Sequence, residues 1–331
     1  MINLYESSGY LDIRSIFNSN YPFVFEIGGR GIGKTYGSIK FALENHIEFG
    51  LMRRTAVELD MITSPAISPV VAIGRDVGMP DIIGKSSKQY TTFRYDDQII
   101  GYGFALSTVA TLRGFSASTM EWLIFDEFIT EPHVRKMKQE GLAFVNAVET
   151  IGRNRELQGL PPLKAHLLAN TFNLDNPILE YFGLVDDIAE AQEDGREIIE
   201  YQDRGILVVL PQKSRISEAK RGTALYRAVD NRDFENLALN NIFKRPAAVV
   251  KSADLKQYKP LFEVEGLYIW RHKSQPVYHI CTIRAGTPER VKVKQIFTRA
   301  PGLLLALTHD RVSFDNLSTF YKFAEITGLD T

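Results

Sequence analysis

The chain has 331 residues, 44% of them hydrophobic and 24% charged, with a formal net charge of −1, the composition expected of a soluble globular protein of about two domains. The near-neutral balance excludes attraction to a polyanion through overall charge, so any contact with nucleic acid has to come from a local basic patch. The single cysteine, Cys281, excludes an intrachain disulfide and a cysteine zinc cluster, and no apolar run approaches membrane length.

Read from the N-terminus, Met1-Ile2-Asn3-Leu4-Tyr5-Glu6 lacks the basic-then-apolar layout of a signal peptide, which fits a reducing cytoplasm. Phe23–Ile27 predicts a short buried strand. It runs into Gly28-Gly29-Arg30-Gly31-Ile32-Gly33-Lys34-Thr35, a match to G-x-x-x-x-G-K-[ST]. Tyr36, Ile39, Leu43 and Ile47 then recur at helical spacing. Strand, glycine loop and helix together make a phosphate-binding loop, in which loop N–H groups and a helix N-terminus point at an anion. In that arrangement Lys34 reaches the β- and γ-phosphates of ATP, and Thr35 places its hydroxyl on Mg²⁺.

Phe49–Arg53 predicts a second strand, ending in Arg53 and Arg54, which suit a nucleotide, a neighbouring subunit or solvent equally well. Phe93–Ile100 predicts a hairpin arm turning at Asp96 and Asp97. Trp122–Phe125 is a buried strand with two carboxylates, Asp126 and Glu127, at its C-terminal tip, the place where ligands bind in open α/β sheets. With the glycine loop upstream, Asp126 becomes the residue that holds Mg²⁺ and Glu127 the one that orients and deprotonates water. That pair favours the ATPase branch with an added catalytic glutamate over the GTPases, whose N-K-x-D motif is absent from the chain.

Ala143–Ile151 predicts a helix, followed by Gly152-Arg153-Asn154-Arg155-Glu156. On residue grounds alone, Arg153 and Arg155 read as basic groups that offset a helix dipole. Ala165–Ala169 is another strand, and Asn170 at its tip takes the position of a γ-phosphate sensor. Gly205–Leu210 predicts a further strand; this alternation is the mark of a mostly parallel α/β sheet. Past residue 211 the composition turns basic, with Lys213, Arg215, Lys220 and Arg221, and a helical patch spans Asp233–Phe243. Strands are expected at Leu267–Trp270, Val277–Ile280 and Leu303–Leu307, and a terminal helix at Leu317–Ile326. The expected organisation is an ATPase domain over residues 1–211, a basic linker over 212–246 and a small α+β domain over 247–331.

The motifs in sum, Arg53-Arg54-Thr55, Leu112-Arg113-Gly114 and Leu123-Ile124-Phe125-Asp126-Glu127-Phe128, resemble the order found in phage DNA-packaging motors of the terminase class. The nearer resemblance is to the packaging ATPase, or encapsidation protein, of small tailed phages of the Picovirinae type. It rests on the Gly28–Thr35 loop, Ile124-Phe125-Asp126-Glu127-Phe128 and Arg153-Asn154-Arg155-Glu156, with Phe314-Asp315-Asn316 as a weaker match near the C-terminus.

The resemblance implies a homomeric ring, a pentamer when docked on the portal of an empty capsid. The ring translocates double-stranded DNA by ATP hydrolysis, in the host cytoplasm and without a membrane, and some such motors also carry a structural RNA. Arg153 corresponds to the residue that acts in trans on the neighbour's ATP, with Arg155 in reserve. The second domain would resemble an RNase H-like nuclease that has lost its activity, since Glu263, Glu265, Asp310 and Asp315 are loosely placed and an active site needs carboxylates converging on two metals. One departure from the family pattern is Thr55-Ala56-Val57, where a basic residue is expected. DNA contacts are expected to be to phosphates, from Lys85, Lys88, Lys213, Arg215, Lys220 and Arg221. The rival readings are a terminase with a working nuclease, a helicase-like ring ATPase and a nucleotide-binding scaffold without turnover.

Overall fold

Short apolar runs such as Phe23–Ile27 and Trp122–Phe125 are strands buried on both faces. The computed structural model describes residues 2–64, 66–87, 89–112, 119–131, 134, 137, 139–170, 174–212, 214–228, 250–283, 288–309 and 311–328. Two units form: Met1–Tyr181 with Ile188–Lys244, and Phe182–Asp187 with Arg245–Thr331. Of the sequence-derived features, Arg113, Gly114, Lys88, Lys213, Asp310 and the Asp233–Phe243 patch lie outside the described residues.

The first unit begins α1 (Ile13–Phe17), β1 (Phe23–Gly28), α2 (Lys34–Glu44), β2 (Phe49–Arg53), α3 (Ala56–Thr63) and α4 (Pro69–Asp76). The three strands β3 (Ile83–Ser86), β4 (Thr91–Tyr95) and β5 (Gln98–Ala105) follow. Next come β6 (Trp122–Asp126), α5 (Glu140–Gly152), β7 (Lys164–Asn170) and α6 (Pro177–Tyr181), then α7 (Val185–Glu193), whose first residues group with the second unit. It closes with β8 (Ile198–Tyr201), β9 (Ile206–Val209), α8 (Arg215–Lys220) and α9 (Ala224–Ala228).

Nine strands make one sheet in the order β3-β4-β5-β2-β6-β7-β1-β9-β8. The run from β5 to β9 is parallel throughout, and β3, β4 and β8 add antiparallel edges. Parallel strands covered on both faces need apolar side chains in both directions; Leu123, Ile124 and Phe125 are accordingly all fully buried. Successive side chains alternate between faces. On one side Phe125 stacks on Phe144 of α5 at 5.6 Å; on the other, Trp122 meets Phe17 of α1 at 4.7 Å. The hairpin predicted near residues 93–100 turns where expected: Asp96 and Asp97 both have positive φ, as a two-residue type I′ connection requires.

Parallel register brings four strand tips to one edge. Gly28 of β1 lies opposite Asn170 of β7, β7 pairs with β6 through Asp126 and Leu168, and β6 pairs with β2 through Phe125 and Met52. Arg54, just past β2, is almost wholly buried and clamps Glu140, the first residue of α5, through two bonds of 2.6 and 3.0 Å. Thr55, the first residue of the Thr55-Ala56-Val57 segment, caps α3: its hydroxyl accepts from Glu58 N, and the Glu58 carboxylate accepts from Thr55 N.

The second unit contains β10 (Tyr258–Val264), β11 (Leu267–His272), β12 (Tyr278–Cys281), β13 (Glu289–Arg290), α10 (Ile296–Arg299), α11 (Pro301–Leu307), β14 (Val312–Phe314) and α12 (Leu317–Thr327). Its five-stranded sheet runs β13-β10-β11-β12-β14. The strand expected at Leu303–Leu307 is instead helix α11. Pro301 occupies the first helical position, where its fixed φ suits a helix, and leucine is a strong helix former. Phe314-Asp315-Asn316 is a structural joint: Phe314 is core, Asp315 accepts from Thr282 N, and Asn316 caps α12 through Thr319 N.

The Arg54–Glu140 pair yields a stability test. Glu140→Ala leaves a buried guanidinium without its partner, which costs about 3–5 kcal/mol. We expect urea unfolding of the first unit to shift by that amount, and the double variant Arg54→Met/Glu140→Leu to recover most of it.

Candidate functional site

The glycine loop is built as its pattern predicts. Gly31 and Gly33 take φ values of +75° and +97°, which side chains with a Cβ rarely adopt, and Gly33 forms the left-handed N-cap of α2. Lys34 follows as the first helical residue. Its ammonium donates to the carbonyls of Gly28 at 2.9 Å and Gly29 at 2.8 Å and to Asn170 Oδ1 at 3.2 Å. Burial lowers its pKa from 10.5 to about 8, against the opposing pull of Asp126 and Glu26. Asn170 thus meets the loop lysine, as its position at the tip of β7 implies.

Thr35 Oγ1 donates to Asp126 Oδ1 at 2.8 Å. This pair of hard oxygens fits Mg²⁺, which takes one or two protein oxygens and completes its octahedron with water and phosphate. Glu127, one residue on, has φ of +58° and a side chain that is 60% exposed. The left-handed backbone turns its carboxylate out of the sheet and toward the cavity.

Arg53 is the residue whose role the sequence left open. Its guanidinium bridges both acids, Nη2 to Asp126 at 2.6 Å and Nη1 to Glu127 at 2.5 Å. It is therefore neither solvated nor aimed outward. A second pair, Arg30 with Glu131 at 2.8 Å, borders the loop. The cavity at this edge measures about 900 Å³ and is lined by the loop, Asp126, Glu127, Asn170 and the side chains of Tyr10 and Tyr36. That is the size of a small-molecule site.

The two arginines after α5 part ways. Arg155 is buried and donates to the Pro161 carbonyl at 3.1 Å. Arg153 is exposed and caps α5 with φ of +42°. Gly152 abuts Leu163, just before β7, whereas the far end of β7 is Asn170 in the cavity. Seven parallel-strand residues span roughly 20 Å, so Arg153 stands at the opposite edge of the sheet from its own subunit's cavity.

Of the residues proposed for DNA, Lys85 lies exposed on the edge strand β3, and Arg215 and Arg221 are exposed on and just after α8. Lys220 is placed differently: its ammonium reaches back to the glycine loop and donates to the Arg30 carbonyl. In the second unit, Glu263 is paired with Arg290 at 3.1 Å, Glu265 sits in the β10–β11 turn, and Asp315 follows β14 at the other end of the sheet. Those three carboxylates do not converge, and among the described residues no cluster of three or more His, Cys, Asp or Glu could hold a metal. No described helix is long and apolar enough to cross a membrane.

A family profile described as Podovirus DNA encapsidation protein (Gp16) matches residues 5–290. The DNA packaging protein of Bacillus phage phi29 is 24% identical over 267 residues, covering 78% of this chain and 74% of its own. That of Bacillus phage B103 is 26% identical over 267 residues, covering 78% and 77%. Among solved structures, a chain of the bacteriophage Phi-29 viral genome packaging motor assembly shares the fold with a TM-score of 0.70, at 20% identity, over 96% of this chain and 98% of that one. The Phi-28 gp11 DNA packaging motor matches with a TM-score of 0.64, at 19% identity, over 98% and 99%.

Lys34 gives the site a defined pH response. Its folded pKa lies below the unfolded value of 10.5, so the unfolded chain holds the extra proton and stability rises with pH between about 8 and 10.5. Oxyanion binding needs the ammonium and moves the other way. Calorimetric titration with inorganic tripolyphosphate should show affinity falling about tenfold per pH unit above about 8; a flat profile to pH 9.5 would contradict the assignment.

Proposed function

The chain belongs to the podovirus DNA encapsidation protein family, and from that membership we propose that it is the ATP-driven motor that moves double-stranded viral DNA into a preformed capsid. One observation carries the ATPase reading: Lys34, Thr35, Asp126, Glu127 and Asn170 come together from three adjacent strand tips around one cavity. We assign Lys34 and the loop amides to the triphosphate, Thr35 and Asp126 to Mg²⁺, and Asn170 to the terminal phosphate. Mg²⁺, when bound, draws off charge that develops on the phosphate oxygens. Glu127 orients the attacking water and takes its proton. In the present conformation Arg53 holds that carboxylate, so hydrolysis requires Arg53 to release it.

Arg153 acts in trans. Its exposure and its place at the far edge of the sheet support contact with a neighbouring subunit's cavity rather than its own. On this reading the active form is a homomeric ring, pentameric at the portal of an empty capsid, working in the host cytoplasm and in some systems joined by a structural RNA. DNA is gripped through its phosphates, with Lys85, Lys88, Lys213, Arg215 and Arg221 as the contacts. We read the chain as residues 1–211, 212–246 and 247–331, with the last part lacking nuclease chemistry; the Arg290 pairing of Glu263 supports that reading over a cutting terminase.

Glu127→Gln should bind ATP at wild-type affinity and lose about 10²–10⁴ in turnover; wild-type phosphate release would overturn the assignment. Arg153→Ala should lose about 10³–10⁵. Mixed with Lys34→Ala subunits, Arg153→Ala subunits should regain activity, because each supplies what the other lacks. Failure of complementation in assembled rings would refute action in trans.

A further inference from the structure

Residues 211–212 and 214–221 lie past β9 at the same edge of the sheet as the glycine loop, and they pack against it. Pro211 is buried on Gly28, where a Cβ on that glycine would come within 2.6 Å of the proline ring. Ser214 donates to the Gly9 carbonyl at 2.9 Å and accepts from Ile216 N, capping α8. The N-terminus of α8 is thereby tied to the turn that precedes Tyr10, which lies against Gly33. From the other end of α8, Lys220 crosses to the loop and donates to the Arg30 carbonyl. Its Nζ lies 2.0 Å from where a Cβ on Gly31 would stand. The lysine and the loop backbone are in direct contact, and Gly31 is the residue that permits it.

An ammonium is a donor-only group with three hydrogens, and one here is given to a carbonyl. Placing it beside Arg30 and above Lys34 gathers three cations on a loop shaped for anions. Burial and the Arg30 charge both push the Lys220 pKa below its usual value. Arg30 has the Glu131 carboxylate as its counter-ion. Lys220 is held by a neutral carbonyl, and its charge remains available to an incoming anion.

We propose that Lys220 is a phosphate ligand of the bound nucleoside triphosphate in its own subunit, carried by α8, so that nucleotide occupancy fixes α8 and departure of phosphate frees it. This deepens the ATPase reading and rests on it. It also takes Lys220 out of the set of DNA contacts. The mechanical consequence follows from chain order: α8 and α9 are the last described elements before the chain passes to the second unit at Arg245. A lysine on α8 therefore ties the phosphates to the segment that leads there.

The test compares full-length wild type, Lys220→Ala, Lys220→Arg and Lys34→Ala, each folded as judged by circular dichroism. A charge-assisted hydrogen bond contributes about 1.5–3 kcal/mol, or roughly 10–150-fold in affinity. We expect Lys220→Ala to weaken binding of the ATP analogue AMP-PNP by that factor and binding of AMP far less, with Lys220→Arg recovering most of the loss. Hydrogen exchange should show AMP-PNP slowing the amides of residues 215–221 in wild type and leaving them unchanged in Lys220→Ala. Unaltered AMP-PNP affinity in Lys220→Ala, together with loss in Lys34→Ala, would overturn this inference alone. Loss of DNA affinity with intact nucleotide affinity would return Lys220 to the DNA-binding set and likewise overturn it. No AMP-PNP binding by wild type would overturn the ATPase reading itself.

Discussion

Everything at the cavity depends on four parallel strands ending at one edge. Because β2, β6, β7 and β1 are neighbours in that order and run the same way, Arg53, Asp126 with Glu127, Asn170 and Gly28 are delivered side by side from positions spread between residues 28 and 170. Parallel pairing makes this placement strict. A slip of one residue in β6 would turn Asp126 to the other face of the sheet and part it from Thr35. The different packing of the two faces, Phe125 on Phe144 and Trp122 on Phe17, guards that register, so the hydrophobic core and the site chemistry are specified by the same strand.

What the sequence made legible was what local rules govern. The glycine loop, the two acids, the hairpin at Asp96-Asp97 and the inner strands are each encoded within a dozen residues, by positive-φ demands, apolar runs and turn chemistry. Leu303–Leu307 is an apolar run of five that fits a buried strand as well as a helix, and Pro301 two residues upstream is the deciding signal. Short elements such as α3, α4 and β13 escaped because they carry too few residues for a period to show. The roles of Arg53 and Lys220 were hidden for a different reason. One is set by the sheet order that puts β2 beside β6, the other by a contact between residues 190 positions apart, and no spacing along the chain encodes either.

The segment Thr55-Ala56-Val57, where the family resemblance leads one to expect a basic residue, has a structural role in this chain. Thr55 and Glu58 form a reciprocal cap that starts α3 immediately after Arg54, and Arg54 is itself locked to Glu140. The end of β2 is thus braced from two sides. From that strand end Arg53 reaches two carboxylates at once, because a guanidinium carries five N–H donors in a planar fork. The brace and the bridge are consecutive residues with opposite assignments: Arg54 holds the scaffold, and Arg53 holds the two acids at the cavity.

The cations around the cavity fall into two kinds by what holds them. Arg53 and Arg30 face carboxylates, which neutralise them and fix their geometry. Lys34 and Lys220 are held by carbonyl and amide oxygens, which satisfy hydrogen bonds without cancelling charge. Dipoles that orient a cation but leave its charge intact are the arrangement that favours a polyanion, because the attraction to phosphate is not spent on displacing an acid. Burial takes the Lys34 ammonium out of water, which is the main reason its pKa is lowered, while Asp126 and Glu26 pull the other way. On the ATPase reading proposed above, a triphosphate supplies the counter-charge that burial withholds from water. Through the proposed Lys220 contact the same counter-charge reaches α8, which gives nucleotide binding a means to hold that helix on the loop.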